Sequence, residues 1–200
     1  MADQLSREDE FLLKEYDSAV QLTYHVDELR SKFTNLFITI IGAAAAAISL
    51  LIEESVTSTL FGNFEVSAGI FLLCLALIGI LVIIVIARLR KVQLEHFRIT
   101  NNIRKHFLGS NYSLWNTVEL SDKTLPAPTR KSGTYFWTMA LIILNSYVTT
   151  LGIYLLLKRP SIAIIGGLLF VALQDFLYFR LATPPSVREY SKKSPPNRNA

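Results

Sequence analysis

The sequence predicts an all-α integral membrane protein with four transmembrane helices, the first two of which extend into an antiparallel cytoplasmic stalk. Hydrophobic residues make up 51% of the 200 positions. Soluble domains also reach this share, so the class of protein is inferred from how these residues are distributed along the sequence. Four runs contain no charged residue: Phe33–Ile52, Val66–Ala87, Ser132–Leu157 and Pro160–Gln174. A helix needs about 20 apolar residues to cross a bilayer. The first three runs reach that length, and the fourth reaches it if the span ends near Phe179.

A heptad repeat begins in the charged N-terminal segment and continues through the first uncharged run. Its a and d positions are Leu12, Glu15, Ala19, Leu22, Val26, Leu29, Phe33, Leu36, Ile40, Ala43, Ala47 and Leu50. At about 1.5 Å per residue the repeat is about 57 Å long, whereas the hydrocarbon core is only about 30 Å thick. We therefore expect one helix, with residues 1–32 forming a stalk in water and residues 33–52 the first span.

The second span, residues 66–87, also continues as a predicted helix, over residues 88–108. Its apolar and histidine positions recur every three or four residues: Leu89, Val92, His96, Ile99, Ile103 and His106. This segment is rich in Lys and Arg, whereas the N-terminal segment is rich in Asp and Glu. We expect the two to pair as a coiled-coil hairpin, within one subunit or between neighbours. The predicted seam of the stalk or oligomer comprises Leu22, Val26, Leu29, Phe33, Leu36, Val92, Ile99 and Ile103.

The placement of Lys and Arg predicts that both termini are cytoplasmic, because only Lys158 and Arg159 then lie on the opposite side. The remaining boundaries are a cytoplasmic loop at 109–133, spans at 134–157 and 161–179, and a disordered cytoplasmic tail at 180–200. Four residues of the loop and the basic segment are candidates for docking a cytoplasmic protein: Tyr112, Trp115, Arg98 and Arg104. Pairing with the acidic helix already accounts for the basic segment, so we do not expect direct nucleic-acid binding.

Polar residues within the last two spans form a second candidate site. Gln174 and Asp175 lie in the fourth span, and Asn145 and Thr149 share a face of the third. Ionisable residues inside a span are functional candidates because their burial is costly. Polar residues there also serve as inter-helix hydrogen bonds, which we expect here. A small ion channel or transporter that uses these four residues is the alternative hypothesis.

Catalytic and cofactor motifs are missing from the sequence. It has no Walker loop, dinucleotide-binding glycine turn, HExxH pair or nucleophile elbow. A single cysteine, Cys74, allows neither an intrachain disulfide nor a thiolate metal cluster. We therefore expect no enzymatic activity and no cofactor, with membrane lipid as the surrounding medium.

Residues 12–40, LLKEYDSAVQLTYHVDELRSKFTNLFITI, resemble the N-terminal region of RipA-type small bacterial membrane proteins. The shared features are Glu15–Tyr16, an arginine about fourteen residues later (Arg30), and the sequence Asn35-x-Phe37-Ile38-Thr39. The resemblance implies an oligomeric inner-membrane protein with a cytoplasmic helical part. The layout is also similar to SLATT-type effectors and to the four-span membrane subunit of the Kiwa anti-phage system. The continuous seam, the complementary stalks and the short opposite loops lead us to expect a homo-oligomeric sensor, scaffold or membrane-perturbing effector. The resemblances imply a setting in anti-phage defence or a stress response.

Overall fold

A computed structural model describes residues 7–53, 64–108, 130 and 132–183. Within these ranges the secondary structure is four helices: α1 (Arg7–Glu53), α2 (Phe64–Leu108), α3 (Gly133–Leu157) and α4 (Pro160–Ala182). Each contains a stretch long and apolar enough to cross a membrane. The predicted all-α class with four apolar helices is therefore confirmed, and these helices indicate a multi-pass membrane protein.

The ends of α3 and α4 are set by local capping. The Ser132 hydroxyl accepts a hydrogen bond of 3.2 Å from the backbone N–H of Tyr135, which caps the start of α3. At its other end Lys158 adopts a left-handed conformation with φ of 54° and donates its backbone N–H to the Tyr154 carbonyl. Pro160 then begins α4, where its missing N–H costs nothing. The turn between the two helices is therefore tight.

Two helix ends differ from the sequence prediction. The fourth helix continues to Ala182, so residues 180–182, predicted to belong to the tail, are helical. Gly133, which was predicted to end the loop at 109–133, is the first residue of α3. The rest of that loop apart from Arg130 and Ser132, the tail beyond Thr183, and the docking candidates Tyr112 and Trp115 lie outside the described residues.

The described residues fall into two compact units. The four-helix unit comprises residues 30–53, 64–87, 130 and 132–181. The two-helix unit comprises residues 7–29 and 88–108, with residues 182–183. The boundaries within α1 and α2 lie close to the ends of the first two uncharged runs. The predicted change from apolar to charged sequence therefore coincides with a change of packing unit.

Small residues allow the helices of the four-helix unit to approach closely. Its apolar core joins Ala44 of α1 to Leu72, Leu75 and Ala76 of α2 and Val148 of α3. Elsewhere, a Cβ atom added to Gly69 of α2 would lie 3.1 Å from the Gly152 carbonyl of α3. Such contacts are typical of membrane helices, where association depends on close packing rather than on the hydrophobic effect.

The buried stripe of α1 departs from the predicted heptad seam. Ala19 and Val26 are buried as predicted, but the next fully buried positions are Phe37 and Ala44. Three leucines at predicted d positions are exposed: Leu22 by 43%, Leu36 by 54% and Leu50 by 64%. A straight helix drifts about 20° per heptad from a strict seven-residue repeat. Phe37 lies about three helical turns beyond Val26 and so faces the same side of the helix, whereas Leu36 lies about 100° away from Phe37.

The N-terminal half of the predicted seam fits better than its membrane half. Leu29 and Phe33 are half-buried, which places them at the edge of the buried stripe. Leu22 and Leu36 are not buried within the subunit, so the seam that contains them stays a prediction for a contact between subunits.

The stalk half of α2 also packs through other residues than predicted. Ile103 is buried as expected, but Val92 and Ile99 are 38% and 37% exposed. Their buried neighbours include Gln93 and Thr100, with exposures of 3% and 5%. Apolar periodicity could not reveal this face, because its buried positions are largely polar.

Candidate functional site

Three buried polar residues form a hydrogen-bonded group, here called the amide cluster: Asn145 and Ser146 of α3 and Gln174 of α4. The Asn145 amide nitrogen donates to Gln174 Oε1 at 2.8 Å and to the Ala76 carbonyl of α2 at 3.2 Å. Gln174 in turn donates to Ser146 Oγ at 3.0 Å. Asn145 and Gln174 are both 0% exposed. The amide cluster therefore joins three helices, and two of its members, Asn145 and Gln174, are polar residues that the sequence singled out.

Gly79 of α2 provides the space for this cluster. A Cβ atom at Gly79 would overlap the side-chain amide of Asn145 at its oxygen, carbon and nitrogen. The Asn145 amide therefore lies flat against the backbone of α2, and its Oδ1 has no hydrogen-bond partner among the described residues. Sequence reasoning missed this pairing. The sequence signals were a glycine, Gly79, within the most apolar run and an asparagine, Asn145, within another uncharged run.

Thr149 lies on the polar face of α3, and its side chain bonds within its own helix. Its hydroxyl donates to the carbonyl of Asn145 one turn earlier at 2.9 Å, and the side chain is buried. Thr138 makes the same kind of bond to Thr134 at 2.9 Å. These hydroxyls are satisfied by their own helix, so the arrangement favours helix packing.

Asp175 belongs to a different group from its neighbour Gln174. Its carboxylate accepts a hydrogen bond from the Arg130 guanidinium and another from the Tyr135 hydroxyl, both at 2.8 Å. The guanidinium also lies 5.4 Å from the ring centroid of Phe179. Successive side chains on a helix point about 100° apart, which separates this charged group from the amide cluster. The alternative hypothesis of a channel draws on both groups, whereas the expected role of these residues is hydrogen bonding between helices.

The two-helix unit has a polar interior. Arg90 donates to Gln93 Oε1 at 2.6 Å, and Gln93 donates to the Asp27 carboxylate of α1 at 2.9 Å. Arg90 is 8% exposed and Gln93 is 3% exposed. Buried polar groups cost free energy unless they are hydrogen-bonded, so this chain of contacts fixes which residues of α1 and α2 face each other.

Two further contacts show the direction of pairing. Arg104 donates to the Tyr16 hydroxyl at 2.9 Å, with its guanidinium 5.5 Å from the tyrosine ring centroid. His106 Nε2 lies 3.4 Å from Asp9 Oδ1. Because residue numbers fall along α1 as they rise along α2, the helices run antiparallel. Acidic α1 and basic α2 thus pair within one chain, which is one of the two arrangements left open by the sequence.

The other predicted docking residue in this unit, Arg98, is half-buried on α2. Nearby, Asn101 is 2% exposed, and neither polar atom of its amide has a hydrogen-bond partner among the described residues. Within the described part of the chain, His, Cys, Asp and Glu form no group of three that could hold a metal ion. No protein-family model, curated protein or solved structure matches this chain.

Proposed function

We propose that the protein is a non-enzymatic, homo-oligomeric scaffold of the bacterial inner membrane whose cytoplasmic stalk docks another protein. The observation that carries this proposal is the surface of the two-helix unit, which is the proposed stalk. Large apolar side chains are exposed there although the segment is too charged to lie in lipid: Phe11 by 64%, Tyr24 by 72% and Phe107 by 41%. Aromatic side chains are enriched at protein interfaces, so their exposure on the proposed stalk supports a docking role.

The charges of the proposed stalk support docking of protein rather than nucleic acid. Arg90 and Arg104, which could have contacted phosphates, instead bond Gln93 of their own helix and Tyr16 of α1. A nucleic-acid site needs cations free to neutralise phosphates. The exposed side chains that stand out are aromatic, and aromatic residues are enriched at protein interfaces.

The alternative function, an ion channel or transporter, would use Asp175 with Asn145 and Thr149. The hydrogen bonds of these side chains favour a packing role, because each already bonds a protein group. Ion flux into liposomes that contain the purified protein tests this alternative. Flux that is lost in both Asp175→Asn and Asn145→Leu would establish it, whereas the packing role predicts no selective flux in any of the three proteins.

The cellular setting that we propose is anti-phage defence or a stress response. Its support is the resemblance of residues 12–40 to RipA-type proteins and of the layout to defence-system membrane subunits. In that setting the docked partner would be recruited to, or released from, the membrane when a stimulus reaches the spans. A sensor or a membrane-perturbing effector would use the same arrangement of four spans and a stalk.

Site-specific photocrosslinking tests the docking role. A photoreactive phenylalanine analogue would replace Tyr24 or Phe107 in the proposed stalk, and Phe136, which is 71% exposed on the uncharged face of α3, as the control. Both stalk positions should capture the same cytoplasmic protein, identified by mass spectrometry, while the control captures lipid. If the stalk positions yield only the products of the Phe136 control, the docking proposal fails.

A further inference from the structure

Five apolar d positions of α1 form a stripe with a strict seven-residue repeat: Leu22, Leu29, Leu36, Ala43 and Leu50. We infer that this stripe is the contact with the α1 helix of a second copy of the chain. The inference rests on the proposed homo-oligomer and specifies which surface holds it together. We call these five residues the d stripe.

The d stripe is distinct from the surface that α1 uses inside its own subunit. That inner surface contains Ala19, Val26, Phe37 and Ala44, all buried. At about 100° per residue the d stripe lies on average about a quarter of a turn away. Its leucines at 22, 36 and 50 are 43%, 54% and 64% exposed, Ala43 is exposed, and Leu29 is half-buried.

The spacing of the two surfaces points to two different kinds of neighbour. The inner surface does not keep a seven-residue period, because its next buried residue after Val26 is Phe37. The d stripe keeps its seven-residue period over four intervals, and such a period faces a partner continuously only if the two helices wind around each other. Glu15, the d position before Leu22, ends the apolar stripe, because carboxylates from parallel copies would repel there.

The extent of the d stripe indicates which partner fits it. From Leu22 to Leu50 it is about 42 Å long, which exceeds the hydrocarbon thickness of about 30 Å. Lipid alone cannot cover it, since its first two leucines belong to the charged two-helix unit. A partner helix must carry a matching repeat from water into the bilayer, as α1 of a second copy does. Copies inserted in the same direction run parallel, so Leu36 would meet Leu36 of the second copy.

The packing of α1 within its own chain leaves this surface available. Only 11% of the most apolar window of α1 is buried inside the chain, compared with 44% for α2. The alanines on either side of Ala44 are exposed, and around Gly42 an added Cβ would contact nothing. Such a thin helix face permits close approach of a second helix.

Cysteine crosslinking in native membranes tests the inference. In a Cys74→Ser background, single cysteines replace Leu22 or Leu36 on the d stripe. The matched controls are Tyr24 and Ile38, two residues further along and on the far face of α1, with exposures of 72% and 47%. A disulfide needs Cα atoms within about 7 Å, so we expect oxidation to link the stripe cysteines at least about 10-fold faster than the controls.

The outcomes separate this inference from the proposed function when the crosslinking is paired with the subunit number from native mass spectrometry. If the protein is an oligomer but the control cysteines crosslink as fast as the stripe cysteines, or faster, the α1 contact is overturned and the homo-oligomer still stands. A single-chain mass would overturn both. Since all four substituted positions are exposed, loss of folding should not obscure the comparison.

Discussion

The substitution Gly79→Ala tests the packing of the four-helix unit most sharply. The added methyl group would overlap the Asn145 amide, which must then leave its place against α2. Moving it breaks the hydrogen bonds of the Asn145 amide nitrogen to Gln174 and to the Ala76 carbonyl. The perturbation is therefore one methyl group, and its expected effect is the loss of two inter-helix bonds.

The magnitude follows from those two bonds. Measured side-chain hydrogen bonds between membrane helices contribute about 0.6 kcal/mol on average and up to about 1.7, so Gly79→Ala should cost about 1–3 kcal/mol of unfolding free energy. Asn145→Ala removes the same bonds and also the group that the methyl would overlap. The double variant should therefore be no less stable than Asn145→Ala alone, which gives a coupling energy close to the cost of Gly79→Ala.

Reversible unfolding in bicelles, followed by steric trapping or by tryptophan fluorescence, measures these differences. Gly42→Ala is the matched control, because a Cβ there contacts nothing and alanine favours a helix over glycine by about 1 kcal/mol. We expect this control to be neutral or stabilising. The reasoning is refuted if Gly79→Ala behaves like Gly42→Ala, or if the costs of Gly79→Ala and Asn145→Ala simply add.

Three further substitutions test other contacts. Gln93→Ala should destabilise the two-helix unit by about 1.5–3 kcal/mol, because it removes bonds to charged partners, whereas Val92→Ala should cost at most about 0.5 kcal/mol. Thermal unfolding in nanodiscs compares the two variants. A larger loss of stability in Val92→Ala would instead support a seam through Val92. Tyr135→Phe should lower stability by about 1 kcal/mol in the same assay by removing a hydroxyl donor to a carboxylate, and an unchanged melting temperature would count against that bond. Arg104→Lys keeps the charge but loses the planar contact with a tyrosine ring, so hydrogen exchange of residues 7–29 should accelerate, and equal protection would argue against the contact.

The sequence predicted the helices well because their signals are physical requirements of the bilayer. A run without charge long enough to cross hydrocarbon has few alternatives to a helix, since every backbone group must be satisfied internally. The four apolar helices follow from this requirement alone. The fourth helix begins at Pro160, one residue before the predicted span, because proline is well suited to the first turn.

The contacts between helices were harder to predict, for identifiable reasons. The heptad count placed Leu36 on the seam, whereas the helix buries Phe37. A helix with 3.6 residues per turn drifts from a seven-residue repeat, and the sequence does not show where its neighbour lies. The hydrophobic pattern also overlooked Gln93, which is buried because Asp27 accepts its hydrogen bond. Gln174 and Asp175 are adjacent in sequence yet serve different groups, since neighbouring helical side chains diverge.

The subunit number of the 200-residue chain tests the central claim most directly. The chain would be placed in nanodiscs at a low ratio of protein to disc, so that two copies rarely share a disc by chance, and weighed by native mass spectrometry. An oligomer joined through α1 predicts a protein mass that is a whole-number multiple, two or greater, of 22.5 kDa. A mass of 22.5 kDa in every disc would contradict the account.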